Sequence, residues 1–176
     1  MMLRFKILAL CLALAMLQLP FSMAQSKAAV APAAPIPPQI LAAKKVFIAN
    51  AGGDEMDGDD PRFSGGPDRA YNEFCAAMKS WGRFEIVNAP ADADLLLEIR
   101  QYVSAVTPTG RGSSSFIPQF QLNIRDSKTN AMLWGFNVHS HFGIGQADSD
   151  RNFSSAVGRL ATDLRILVAP PEPAVQ

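Results

Sequence analysis

The stretch FQLNIRDSKTNAMLWGFNVHSH, residues 120–141, alternates apolar and polar residues on both sides of a polar pentapeptide. Phe120, Leu122 and Ile124 fall on one face of the first arm, and Met132, Trp134, Phe136 and Val138 on one face of the second. Between them DSKTN supplies turn chemistry, with Asn130 suited to left-handed backbone. A period of two on both arms predicts an antiparallel β-hairpin with one buried face, on which Trp134 is the large core residue.

A sheet with one apolar face needs a second layer, and the flanking segments supply it. After Pro67 and Asp68, the residues Tyr71, Phe74, Cys75, Met78 and Trp81 form one helical stripe that Gly82 ends. Phe153, Ala156, Val157, Leu160, Ala161, Leu164 and Leu167 form another, in a helix expected from about Ser149 to Val168. VFIAN (46–50) and FEIV (84–87) read as short strands, and DLLLEIRQYV (94–103) as a longer one with its apolar residues in alternate positions. Residues 104–117, rich in Gly, Ser and Pro, read as a loop. The order β-α-β-β-β-β-α predicts an α+β two-layer sandwich, with a mostly antiparallel sheet of about five strands and both helices on one face.

The ends of the chain have a different texture. Residues 1–24 carry Arg4 and Lys6, then an apolar run from Ile7 to Leu19, then Pro20 and the small residues Ser22 and Ala24. This is the pattern of a secretory signal peptide cut before Gln25, and implies a secreted protein of the periplasm or outer envelope. Residues 25–43 are alanine and proline with almost no charge and read as a disordered tether. The domain is placed at 44–169, with a disordered tail over 170–176.

Removal of Arg4 and Lys6 leaves 14 basic against 16 acidic residues, a formal charge of −2. That balance offers no attraction to nucleic acid or to an anionic membrane. It also leaves Cys75 as the one cysteine, so the fold must hold without an internal disulfide.

Beyond the hairpin, KKVFIAN, WGRFEIV, ADADLLLEI and FQLNIRDSKTNAMLW together resemble a group of bacterial envelope domains. The group includes the N-terminal domain of TolB, the curli secretion lipoprotein CsgG, and LpoB, the activator of a peptidoglycan synthase. Asp126, Thr129, Asn130 and Trp134 match its hairpin pattern Asp-x-x-Thr-Gly followed by a hydrophobic residue and Trp, with Asn130 in place of Gly. The resemblance implies an anticodon-binding-domain-like sandwich used as a binding or assembly module without catalysis. Small envelope domains of unknown function share the same hairpin and closing helix.

Few segments suggest chemistry. GGDEMDGDDP, residues 52–61, is rich in acid and glycine. In the register of an EF-hand, Gly58 at position 6 puts Gly53 at 1 and Ser64 at 12, where ligands are needed. His139 and His141, two apart on the last strand, lack a third ligand nearby. Cys75 sits within an apolar stripe, GIGQAD (143–148) has Asp148 where a dinucleotide loop wants a small residue, and the serines of GRGSSSF lack a nucleophile-elbow frame.

No catalytic residue, metal set or cofactor follows, and the reading is a non-enzymatic module whose partner is an envelope protein or component. The alternatives are a metal-dependent hydrolase using His139 and His141, and a carrier of a small apolar ligand held between helices and sheet. If the first two strands are parallel, Asp54, Glu55, Asp57, Asp59, Asp60, Asp92, Asp94 and Asp126 gather at one end of the sheet. Arg83, Arg111 and Arg151 then gather at the other. The acidic end becomes a contact surface for a basic partner or a weak cation site.

Intact-mass analysis of the exported protein tests the leader. The expected mature chain starts at Gln25, and retention of Met1 would refute cleavage.

Overall fold

Pairing around the DSKTN turn organises the sheet. In a computed structural model that describes residues 34–52, 63–106 and 115–169, β4 (Ser115–Asp126) and β5 (Met132–His139) form the hairpin. Asp126 Oδ1 accepts from the backbone N–H groups of Lys128 and Thr129 at 3.0 and 2.7 Å, and Asn130 takes φ of 57°. This is the left-handed position its side chain tolerates. β3 (Leu95–Val106) runs antiparallel to β4 over its whole length, so 104–106 and 115–117, expected as loop, belong to the strands.

β1 (Lys45–Asn50) runs parallel to β3 on one side and to the two-residue β2 (Glu85–Ile86) on the other. The five strands lie in the order β2-β1-β3-β4-β5. The α+β sandwich is as expected, and its sheet is mixed, with the longest ladder antiparallel.

Register puts Val46, Ile48, Leu95, Leu97, Ile99, Phe120, Leu122, Ile124 and Val138 on one face, all buried. Two long helices cover that face. α2 (Arg69–Trp81) buries Ala70, Phe74 and Met78, and Gly82 ends it in the left-handed conformation. α3 (Gln146–Leu167) starts a turn earlier than the apolar stripe suggests and buries the stripe from Phe153 to Leu167. Its start is fixed by a close approach. A Cβ on Gly143 would stand 2.2 Å from the Asp148 Cβ, and the Gly143 N–H donates to Ser149 Oγ at 2.9 Å. The glycines of GIGQAD thus serve the turn into a helix.

Further expectations need correction. Residues 38–42, placed in the tether, form the short helix α1 (Pro38–Ala42), started by proline at its first positions. Ile40 and Ala43 are buried in the core, and Ile36 packs against it. The ordered domain therefore starts near Pro35, because a single well-placed isoleucine outweighs the composition around it. Trp134, placed at the centre of the core, is only half-buried, because β5 is the edge strand. A bulge opposite Ile124 and Arg125 shifts the register, so Met132 pairs with Arg125 on the uncovered face and is half exposed.

The helices are tied together at Phe153. Its ring meets Phe120 of β4 at 4.8 Å and Phe63 at 5.1 Å, both edge-on, and the Arg69 guanidinium lies 4.1 Å above it. Arg69 bonds Glu73 at 2.7 Å, Asp150 at 2.5 Å and the Ser64 carbonyl at 2.9 Å. Asp150 also accepts from the Ser64 N–H and hydroxyl, both at 2.9 Å. The Ser64 bonds and the Arg69 charge hold the Asp150 carboxyl at about 2, against an ordinary 3.8. No helix among the described residues is long and apolar enough to cross a membrane.

Ile40→Ala is expected to cost about 2–5 kcal/mol in chemical denaturation, as for buried isoleucines elsewhere. Deletion through residue 43 should lower the melting temperature, while deletion through residue 33 should not. Equal melting points would return residues 35–43 to the tether. Phe120→Ala should cost about 3–5 kcal/mol and Trp134→Ala less.

A depressed folded pKa at Asp150 means its stabilisation is present above about pH 4 and lost as pH falls towards 2. Asp150→Asn should therefore lower the melting temperature at pH 7 and flatten its decline between pH 4 and 2. An unchanged decline would show that the carboxylate is not linked to folding.

Candidate functional site

Only part of the expected acidic end falls within the described residues, and that part lies at the other end of β1 from the one expected. Asp54, Glu55, Asp57, Asp59 and Asp60 lie outside the described residues, as does Arg111. Val46 pairs with Leu95, so β3 starts beside the start of β1, and Asp94 sits at the end opposite to where β1 leaves for residue 52. This happens because β2 has two residues, after which the 3-10 turn Pro90–Asp92 brings the chain back.

Asp94 Oδ2 accepts from the N–H groups of Lys44 and Lys45 at 2.8 and 2.9 Å, and these bonds hold its carboxyl below the usual range. Asp126, fixed by the turn N–H groups and the Thr129 hydroxyl, is likewise lowered. Arg83, expected at the opposite end, donates to the Ala43 carbonyl beside Asp94. Both carboxylates brace local backbone, and Lys45 and Lys128 stand near them. Among the described acids, Asp94 and Asp126 thus meet at one end of the sheet, with Asp92 two residues before Asp94. What differs from the expectation is that this is the end where β1 begins and that Arg83 lies there too.

His139 ends β5 and His141 lies beyond it, both exposed. Among the described residues no three or more His, Cys, Asp or Glu side chains are placed to hold a metal ion. Cys75 is half-buried and hydrogen-bonded with Tyr71, and burial pushes its thiol up, away from the reactive thiolate. The cavity these two residues line with Lys79 and Ile86 measures about 220 Å3. Small-molecule pockets run from roughly 300 Å3 upward. Between helices and sheet, Phe74, Met78, Leu97, Phe120, Leu122, Phe153, Leu160 and Leu164 fill the space where an apolar ligand would sit, each no more than 1% exposed.

The ordered polar surface lies on the other face of the sheet. Alternation turns Glu98, Arg100, Tyr102 and Ser104 of β3 to that face, with Gln119, Gln121, Asn123 and Arg125 of β4 and Asn137 and His139 of β5. The Tyr102 hydroxyl donates to Gln119 Oε1 at 2.7 Å. Asn137 Nδ2 donates to that same oxygen at 3.0 Å and to the Tyr102 hydroxyl at 2.8 Å. Gln119 Nε2 donates to Ser104 Oγ. At the turn end of this face Arg125 bonds Glu98 at 3.1 Å and the Asn130 carbonyl at 2.8 Å.

Sequence reasoning missed Gln119 and Asn137, although the signal was present. Alternation puts both on the polar face, but the bulge shifts pairing outward from DSKTN by one residue, so the observed register is what sets Gln121 opposite Asn137, Gln119 opposite His139 and Tyr102 opposite Gln119.

No protein-family model matches the sequence, and no curated protein matches it. Solved structures share part of the backbone arrangement. A DUF4136 family protein from Bacteroides thetaiotaomicron is 10% identical, covers 74% of this chain and 91% of its own, and has a TM-score of 0.49. A DUF330 protein from Xanthomonas campestris is 13% identical over 76% of this chain and 85% of its own, with a TM-score of 0.47. An uncharacterised lipoprotein from Nitrosomonas europaea is 11% identical over 72% and 81%, with a TM-score of 0.39. At these identities the likeness is one of backbone arrangement, and no residue role passes from them to this chain.

Proposed function

We propose that this chain is a non-enzymatic binding or assembly module of the bacterial cell envelope, exported by its leader, that meets its partner through the uncovered face of the sheet. The observation that carries this reading is the Tyr102–Gln119–Asn137 network. Three polar side chains from three strands are already held in place on a face that no described helix covers. Side chains ordered before binding lose less freedom on forming a complex, which favours association. Tyrosine adds rigid contact area with a polar tip, the property that enriches it at interfaces.

The resemblance of the hairpin to TolB, CsgG and LpoB domains agrees with this reading. The lipoproteins and families of unknown function among the solved structures agree with an envelope setting. The polar face presents more amide and hydroxyl groups than charges, which suits a partner surface with its own hydrogen-bonding groups and no strong net charge. A hydrolase at His139 and His141 and a carrier of apolar ligand are less well supported, given the exposed imidazoles and the filled interlayer.

Site-specific photo-crosslinking in the native envelope tests the proposal. A photoreactive residue at Gln121, on the open face, is expected to give a discrete adduct. One at Ser80, exposed on α2, is expected to give none. Adducts from Ser80 alone would place the partner on the helical layer and overturn the reading.

A further inference from the structure

Where β5 ends, α3 presents Asn152, Ser155 and Arg159 to it, and with Ser140 and His141 these residues line a polar cavity of about 150 Å3. Spacings of three and four residues set the helix side chains on one stripe. Arg159 Nη2 donates to the His139 carbonyl at 2.7 Å, and Asn152 Nδ2 donates to the His141 carbonyl at 3.0 Å. These bonds fix both side chains against the strand end.

Two features exceed what a fastening of strand to helix requires. Arg159 forms no ion pair among the described residues, unlike Arg69, Arg125 and Arg151, and a guanidinium has five N–H donors of which the carbonyl occupies one. Ser140 is 2% exposed and its hydroxyl has no partner. Its N–H bonds the Pro118 carbonyl at 2.8 Å, which extends the strand geometry and keeps Ser140 on the helix side, in phase with Val138. A buried hydroxyl without a partner is uncommon and points to an absent one. Neither Asp nor Glu lines the cavity, and Asp163, one turn beyond Arg159, lines a separate apolar hollow with Phe136 and Ile166.

We propose that this cavity binds a small oxyanion, of the phosphate or carboxylate type, with Arg159 supplying the charge and Ser140 and Ser155 supplying hydroxyl donors. Guanidinium and hydroxyl groups converging in a partly enclosed space are the donor set such an anion requires. The volume admits one tetrahedral or planar oxyanion and leaves no room for a nucleotide.

The test is an amide NMR titration of the exported chain with sodium phosphate, and separately with sodium acetate, at constant ionic strength in chloride. Saturable shifts are expected at Ser140, Ser155 and Arg159, with a Kd of about millimolar or tighter. Arg159→Gln and Ser140→Ala should each weaken binding at least about tenfold. Arg165→Gln, which removes an exposed cation from the same helix, should leave it unchanged. Tighter phosphate than acetate identifies a phosphate-type ligand, and the reverse a carboxylate; either supports the site. Shifts that do not saturate, or that fall equally in Arg165→Gln, would show general ion attraction and overturn it. A Ser140→Ala variant with a raised melting temperature and unchanged anion binding would also overturn it, since the hydroxyl would then be only a cost to the core.

Discussion

Phe153 is the side chain on which the arrangement of layers depends. It belongs to α3, yet its ring touches Phe120 of the sheet and Phe63 of the segment that leads into α2, and it lies under Arg69 of α2 itself. Aromatic contacts of this edge-on kind add about 0.5–1.5 kcal/mol each beyond area burial. Position matters more than that sum. Both long helices must pack on the same face of the sheet for one ring to reach all these partners. Arg69 completes the joint by replacing water with the ring below and with Glu73, Asp150 and Ser64 around its edge. Gly65, at φ of 95° and with its would-be Cβ 2.8 Å from the Arg69 Cδ, lets the chain pass that close.

Placing both helices on one face leaves the other face of the sheet to be stabilised by its own side chains. The polar residues there respond by bonding across strands, as Tyr102, Gln119, Asn137 and Ser104 do. Cross-strand pairs of this type stabilise a sheet without covering it. Gln119 is buried by its neighbours even though no described helix lies above it. The same interactions that let the face exist uncovered also hold its functional groups still.

The parts of this fold that were legible in the sequence are those that repeat. Alternation exposed β3, β4 and β5, helical spacing exposed α2 and α3, and Asn130 and Gly82 marked backbone that each adopts with positive φ. What was not legible depended on single residues or on distance along the chain. Ile40 is one apolar residue in an Ala/Pro segment, and nothing periodic announces its burial. Met132 continues the alternation in sequence but leaves the core face in space, because a bulge inserts one residue into the phase. The described carboxylates Asp94 and Asp126 lie at the other end of β1 from the one expected, for a topological reason. A strand of two residues permits an immediate return, so direction along β1 does not predict which end β3 starts from. The Tyr102 network escaped notice because it joins residues 17 and 18 positions apart, and a third contact 35 apart, which only the register reveals.

The fate of the carboxylates explains why the candidate surfaces here are neutral or basic. Asp94 and Asp126 are held by backbone N–H groups, Asp150 by Ser64 and Arg69, and Glu98 by Arg125. Each is a strong acceptor whose bonding capacity is taken up inside the domain, and a carboxylate already bonded to N–H groups has less to offer an outside cation. Among the described residues, groups with unused donors include the Arg159 guanidinium and the Ser140 hydroxyl. Among the described residues these four acids are engaged in folding contacts, so the polarity left at the strand-end cavity is of one sign. That asymmetry follows from the strands. Parallel pairing at β1 and the tight turn after β4 both leave N–H groups without partners in the ladders, and carboxylates are the side chains that satisfy them.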